Sequence, residues 1–495
     1  MKKLTLVLLT SLLTTTGCSP SKKDHEHSFS NEWTFNEEEH YHESTCGHDV
    51  VSEQGFHTFS SWEVTRLASS EQKGLKARHC TVCPYSEEKE YDYIPELPII
   101  PLDFPIFSID TENGASIVSK EEYVAGDLDI YNADGFNDKD LSLGIRGRGN
   151  YSWSGTEKKS FRIKFDKKYQ PLGQGNGACK SWTLLAVHCD KSLLRTDGAF
   201  HFANQLNNIP FVSSSSFVDL VLNGEYLGVY ELCDQIQVNK YRVDIDDSGE
   251  EDDIGYLVEL DKNASENVVR LNSGLTFEVK SDGVLDNQMA FITDYLNQCE
   301  TAIKSGNQET IASLIDIPSA VDAYLVEEIF KNLDVGWGSF YYTKPAGDKL
   351  YFGPVWDFDL SAGNANSDYN ESSFTSYKYT YVGNSTYSRY SQQHTWYLSL
   401  RKNAWFNDMI KERFFEIKEA ALETVSYIRH KADFTHDSFE RNFVVWDIFD
   451  EKINREPSAI MKIKSFIGQV DYLVDWLSQR VDWLNEFYLG NVKDK

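Results

Sequence analysis

Hydrophobic and polar positions change their period along this chain, and the changes mark its parts. From Pro105 to about Lys280 apolar residues recur at every second position in short runs, the pattern of half-buried strands. In KKSFRIKF, Lys158 to Phe165, this puts Phe161, Ile163 and Phe165 on one face and Arg162 and Lys164 on the other. LSLGIRGRGNYSW, Leu141 to Trp153, predicts a strand that breaks into a Gly- and Arg-rich turn. Asn223-Gly224 predicts a tight hairpin within FVDLVLNGEYLGVYEL, and GYLVELDK and LTFEVKS add two strands. One helix interrupts them, with Asp190 as N-cap and Leu193, Leu194, Phe200, Ala203 and Leu206 as its apolar stripe. From Asp286 the period lengthens to that of helices, and Val321, Tyr324, Leu325 and Ile329 form one stripe of VDAYLVEEIFKNLD. A loop and strand, DVGWGSFYYTK, and the segment GPVWDFDLSAGN follow. After a Tyr- and Ser-rich insertion from Ser367 to Gln393, the tail from Trp396 to Tyr488 is again helical. The expected fold class is α+β: a mixed β lobe over about 105–283 and a helical lobe over about 284–495.

The first hundred residues follow different rules. Four Pro between Tyr93 and Phe107 force extended backbone and mark 93–104 as a linker. At the start, Lys2 and Lys3 precede an apolar run from Leu4 to Leu13 and small residues ending at Gly17-Cys18. The run is too short to span a bilayer, so 1–18 reads as a secretory signal. It resembles a bacterial lipoprotein signal, which implies lipidation of Cys18, an extracytoplasmic location and membrane attachment through that anchor alone. A formal net charge of −29 excludes a nucleic-acid backbone as partner, because phosphate binding needs clustered Lys and Arg.

Seven of the twelve His lie between His25 and His79, within a stretch expected to form a small module over 24–92. The same stretch holds Cys80-x-x-Cys83, and Cys46 stands upstream beside His48. Three thiolates and the imidazole of His48 or His57 would fill a closed tetrahedral zinc site, which a module with little core needs in order to fold. A Cys80–Cys83 disulfide is the competing reading. The stretch resembles small Cys/His modules on Gram-positive surface lipoproteins; in that comparison Ser44 stands where a second upstream Cys is usual. Cys179, Cys189, Cys233 and Cys299 are scattered through the later chain. Export permits a Cys179–Cys189 bridge, and buried free thiols are the plainer reading.

LYFGPVWDFDLSAGN, Leu350 to Asn364, carries two acids at strand spacing. Alternation would aim Asp357 and Asp359 to one side and Trp356 and Phe358 to the other. Two carboxylates on one face repel unless a cation sits between them, and hard divalent cations take carboxylate oxygens. A turn-capping Asp is the bland alternative.

GIRGRGNYSW, KKSFRIKF, SWTLLAVHCDKSLLR, LNGEYLGVYEL, GYLVELD, KNLDVGWGSFYYTK and GPVWDFDLSAGN occur in this order. Together, over roughly Pro105 to Leu489, they resemble the CotH kinase family, named after a spore-coat protein, whose members have an atypical protein-kinase-like fold of two lobes. The resemblance implies an ATP- and Mg²⁺-dependent kinase acting on Ser or Thr of surface or coat proteins. It gives Asp334 the role of the loop acid that accepts the hydroxyl proton and Asp357 that of a Mg²⁺ ligand, with Asp359 as a second. Lys164 falls where a kinase-like strand presents its phosphate-binding Lys, and Arg162 on the same face is the alternative. The Gly147-Arg148-Gly149 turn would approach phosphates through backbone amides. Two positions depart from a typical kinase: Ser339 replaces a metal-binding Asn, and Asp197 is the nearest acid to pair with Lys164. Two other functions stay open. One is a different nucleotide-dependent transfer in the same pocket. The other is a catalytically inactive surface binding or assembly lipoprotein that uses the Tyr and Trp residues of Ser367 to Trp396.

Overall fold

The computed structural model describes residues 27–60, 63–66, 68–69, 71–91, 93, 103–281, 283–366, 370–376, 379–385 and 395–492. The expected signal segment with Cys18, most of the expected 93–104 linker and much of the Ser367–Gln393 insertion therefore lie outside the described residues. None of the described helices is long and apolar enough to cross a membrane.

The described chain divides into two compact units, residues 27–58 with 79–85, and 59–78 with 86–492. Within the stretch expected to form the 24–92 module, residues 59–78 and those from 86 onward group with the second unit. In the first unit β1 (Thr34–Phe35), β2 (Glu39–Glu43) and β3 (Val51–Phe56) form an antiparallel sheet in that order. Among its described residues, those buried are His40, His57, Cys80 and Cys83, while Phe35, Val51 and Phe56 are exposed.

The second unit opens with β4 (Glu63–Arg66), β5 (Gly74–His79) and β6 (Ser86–Tyr91). Charges hold these strands down. Buried Lys76 pairs with Asp103 at 3.0 Å, and buried Arg78 lies between the Phe59 and Phe434 rings and pairs with Glu87 at 2.5 Å. Next come β7 (Ile106–Thr111), β8 (Val124–Tyr131), β9 (Asp138–Gly147), a helical turn α1 (Tyr151–Ser154), β10 (Phe161–Tyr169) and β11 (Cys179–Leu185). After α2 (Arg195–Ala203), the strands β12 (Ser215–Leu222) and β13 (Glu225–Asp234) complete a closed barrel of order β10-β11-β13-β12-β7-β8-β9. The expected alternation is its wall. Phe161, Ile163 and Phe165 point into the barrel core with Ile109, Leu143 and Trp182, and Arg162 and Lys164 point out. Asn223 and Gly224 turn the β12–β13 hairpin with φ of 52° and 79°, as a type I′ turn requires.

Closure of the barrel was not expected, since it depends on the parallel pairing of β12 with β7, Asp219 opposite Ile106. Helix α2 also starts four residues later than expected. The Asp190 carboxylate accepts from the amides of Ser192 and Arg195 in a preceding turn where Leu193 has φ of 60°, so Leu194 is the N-cap.

A second sheet of order β15-β16-β14-β17-β18 straddles the expected lobe boundary. Strands β14 (Tyr256–Leu260), β15 (Val268–Arg270) and β16 (Thr276–Val279) precede helices α3 (Asp286–Ser305), α4 (Gln308–Leu314) and α5 (Ile317–Phe330), whereas β17 (Phe340–Lys344) and β18 (Tyr351–Phe352) follow them. The chain ends in α6 (Tyr397–Leu400), α7 (Ala404–Phe434), α8 (His436–Val445), α9 (Ser458–Met461) and α10 (Phe466–Leu489). These helices and the second sheet share a core separate from the barrel's. Cys179 and Cys189 are not bridged, and they are free thiols along with Cys80, Cys83, Cys233 and Cys299.

Candidate functional site: an acid pocket, and a separate histidine–cysteine centre

Helix α5 is buried on every side, which removes its freedom to shift. Asp316 caps its start by accepting from Ser319 N at 2.8 Å. Near its end Glu328 is paired with Arg480, both fully buried, and accepts from the amides of Tyr381 and Val382 at 2.7 and 2.6 Å. Lys331 then leaves the helix with φ of 48°, and Asn332 and Asp334 follow. Asn332 ties two chain segments together: its Nδ2 donates to the Asp357 carbonyl at 3.1 Å, and its Oδ1 accepts from Asp334 N at 3.1 Å.

The acids at 357 and 359 do not sit in a strand, as β18 ends at Phe352 and Asp357 has φ of 69°. Their alternation survives in burial: Trp356 and Phe358 are buried, and Asp357 and Asp359 are half-buried. The segment is clamped from behind by HCDKSLLR. Arg195, paired with Asp190, donates to the Ser361 carbonyl at 3.1 Å. Asn364 donates to the carbonyls of Cys189 and Asp359 at 2.7 and 2.6 Å.

Asp334, Asp357 and Asp359 thereby form one electrostatic cluster, in which the charge of Asp357 acts on the other two. Burial, then Asp357, pushes Asp334 up to about 7, against the pull of Arg455. Burial raises Asp357 too, opposed by the Ser339 hydroxyl, which donates to its Oδ2 at 3.1 Å, and by Arg148. Asp359 is driven well above the usual carboxylate range by burial, Asp357, Asp334 and Asp190. Glu327 behind them reaches about 8 through burial, eased by Asn332. Among the described residues, the groups whose ligand atoms all lie within 4.8 Å of one another are His/Cys groups, so the three carboxylates are not a closed cage.

The cations stand elsewhere than expected. Lys164 is exposed, with its ammonium 5.9 Å from the centre of the Tyr123 ring. Arg148 faces the acids instead, its guanidinium 5.6 Å from the Trp356 ring and electrostatically close to Tyr341, Asp357 and Glu259. Arg162 belongs to a group with Arg146, Arg148 and Arg242. Several of its neighbours' nitrogens are buried without a hydrogen-bond partner: Arg146 Nε and Arg242 Nη1 and Nη2, together with Arg162 Nε itself. The amides of Gly147 and Arg148 donate to the carbonyls of Ser119 and Ser160, so the turn offers the Arg148 side chain rather than these two amides. Gly149 has φ of 83°. Asp197 pairs with Lys431 at 2.7 Å and not with Lys164.

Three residues were missed. Asn332 gave no signal apart from its place beside Asp334. Glu259, which accepts from Ser339 N at 3.1 Å, pairs with Lys280 at 3.1 Å; both are the polar ends of strands read only for their apolar faces.

In the first unit the Cys/His grouping meets expectation in His57, Cys80 and Cys83 and differs in Cys46 and His48. Cys80 and Cys83 gather with His40 and His57, whereas Cys46 and His48 gather with His27. The hairpin decides this. Its register sets His40 opposite Gly55, so His40 and His57 share one end, and Cys46 and His48 lie in the β2–β3 connection at the other.

A family model for CotH kinase protein matches residues 145–484, and the chain belongs to that family, with kinase-like function as its general class. No curated protein matches the chain.

Proposed function

We propose that the acid pocket binds ATP with Mg²⁺ and that the chain transfers a phosphoryl group to Ser or Thr of surface or coat proteins. The observation that carries this is the electrostatic cluster of Asp334, Asp357 and Asp359, with Arg148 close to Asp357. Carboxylates that raise one another's pKa gain from a divalent cation, and Asp357 with Asp359 would hold it. Bound there, Mg²⁺ supplies neutralisation of phosphate charge. Asp334 accepts the proton of the attacking hydroxyl, and a carboxyl group near 7 is matched to that task at neutral pH. Arg148 and Arg162 contact phosphate oxygens in place of Lys164; unpartnered guanidinium nitrogens in their group support an anion there. On this reading the barrel core and the helical core would serve as the two lobes of a kinase-like fold. We place the chain outside the cytoplasm, anchored at Cys18, and loss of lipid labelling in Cys18→Ala tests that.

Phosphotransfer from γ-labelled ATP to a mixture of surface proteins tests the activity: label should appear with Mg²⁺ and vanish with EDTA or in Asp334→Asn. One observation favours an inactive relative, since the Ser339 hydroxyl is spent donating to Asp357. Nucleotide binding without any transfer would establish that alternative.

A further inference from the structure

We infer that His40, His57, Cys80 and Cys83 form a closed, structural zinc site that serves as the core of the first unit. The four ligand atoms lie within 4.8 Å of one another, and all four residues are buried. No apolar side chain other than these cysteines is buried among the described residues of the unit, whose Phe35 and Phe56 are exposed. A fold without a hydrophobic core needs another source of folding free energy, and a bound metal is one.

The distances favour a tetrahedral ion over hydrogen bonds. Zinc bonds of ~2.0–2.3 Å set tetrahedral ligand atoms about 3.3–3.8 Å apart. Here His40 Nδ1 is 3.4 Å from His57 Nδ1, Cys83 Sγ is 3.4 Å from His57 Nδ1, and Cys80 Sγ is 3.9 Å from His40 Nδ1. Two ring nitrogens 3.4 Å apart are too distant for a good hydrogen bond. The tautomer is set as well. His57 Nε2 donates to the Asn36 carbonyl at 2.9 Å, which leaves Nδ1 as the ligating atom, the usual outer support of a metal-bound imidazole.

The cysteines sit in a knuckle turn. Val82 N donates to Cys80 Sγ at 3.4 Å, and Cys80 N donates to the Tyr85 carbonyl at 2.8 Å. Two sulfurs and two nitrogens in a tetrahedron select zinc among the common divalent ions. Four protein ligands leave no open position, so the site is structural and not catalytic.

The test uses the full-length purified chain. Wild type should retain zinc through dialysis, and Cys83→Ser should lose one equivalent that Cys46→Ser keeps. Cobalt exchanged into the wild type should give tetrahedral d–d bands and a charge-transfer band of two thiolates, a readout independent of any variant's folding. An octahedral cobalt spectrum, a Cys80–Cys83 disulfide in the purified chain, or equal zinc in wild type and Cys83→Ser would each overturn the assignment.

Discussion

Single side chains decide how charge is held in this protein. Arg148, not Lys164, faces the acids, so Arg148→Ala should weaken ATP binding tenfold or more, at about 1.4 kcal/mol per tenfold, while Lys164→Ala leaves it unchanged in calorimetric titration. The reverse result would restore the strand lysine as the phosphate contact. Asp219 gives a pH test away from the pocket. Burial raises its carboxyl to about 7, although Tyr226 and Ser438 donate to it. Between roughly pH 4 and 7 the unfolded chain releases this proton while the folded chain keeps it, so stability from this group is present at low pH and lost as pH rises through about 7. Asp219→Asn removes the loss. Its melting temperature should exceed that of wild type at pH 8 and approach it at pH 4; a uniform drop at both would mean that the hydrogen bonds matter more than the charge.

At the level of elements, HCDKSLLR is a clamp on the segment that carries Asp357 and Asp359. Arg195 is fully buried, paired with Asp190 and bonded to the Ser361 carbonyl. Arg195→Met leaves Asp190 buried without its partner, which should cost about 3–5 kcal/mol in urea denaturation and weaken ATP binding too. An unchanged midpoint would remove the clamp. Much of this level was legible in the sequence. Alternation in KKSFRIKF found both faces of β10, and Asn223-Gly224 found its hairpin, because a strand with one buried face records its period and a type I′ turn restricts its residues. Barrel closure was not legible, since nothing local to β7 or β12 announces that Ile106 pairs with Asp219. The acids could be read from motif order, but the facing cation could not. Arg148 is aimed by a turn whose amides bind Ser119 and Ser160, contacts no spacing predicts. Likewise Cys80-x-x-Cys83 was visible, while its histidines were chosen by hairpin register and not by nearness in sequence.

On the scale of the whole molecule, three parts of the second unit converge on the pocket. The end of buried α5 delivers Asp334, the chain after β18 delivers Asp357 and Asp359, and the turn after barrel strand β9 delivers Arg148. Under the proposed function, these clustered acids make the protein most stable when a cation and phosphates are bound. The most direct measurement is the melting temperature of wild type and Asp357→Asn with and without Mg²⁺ and ATP. Wild type should gain stability from the two ligands together, and Asp357→Asn should fold as well as wild type or slightly better alone and gain little. Equal stabilisation of both proteins by Mg²⁺ and ATP would contradict the account.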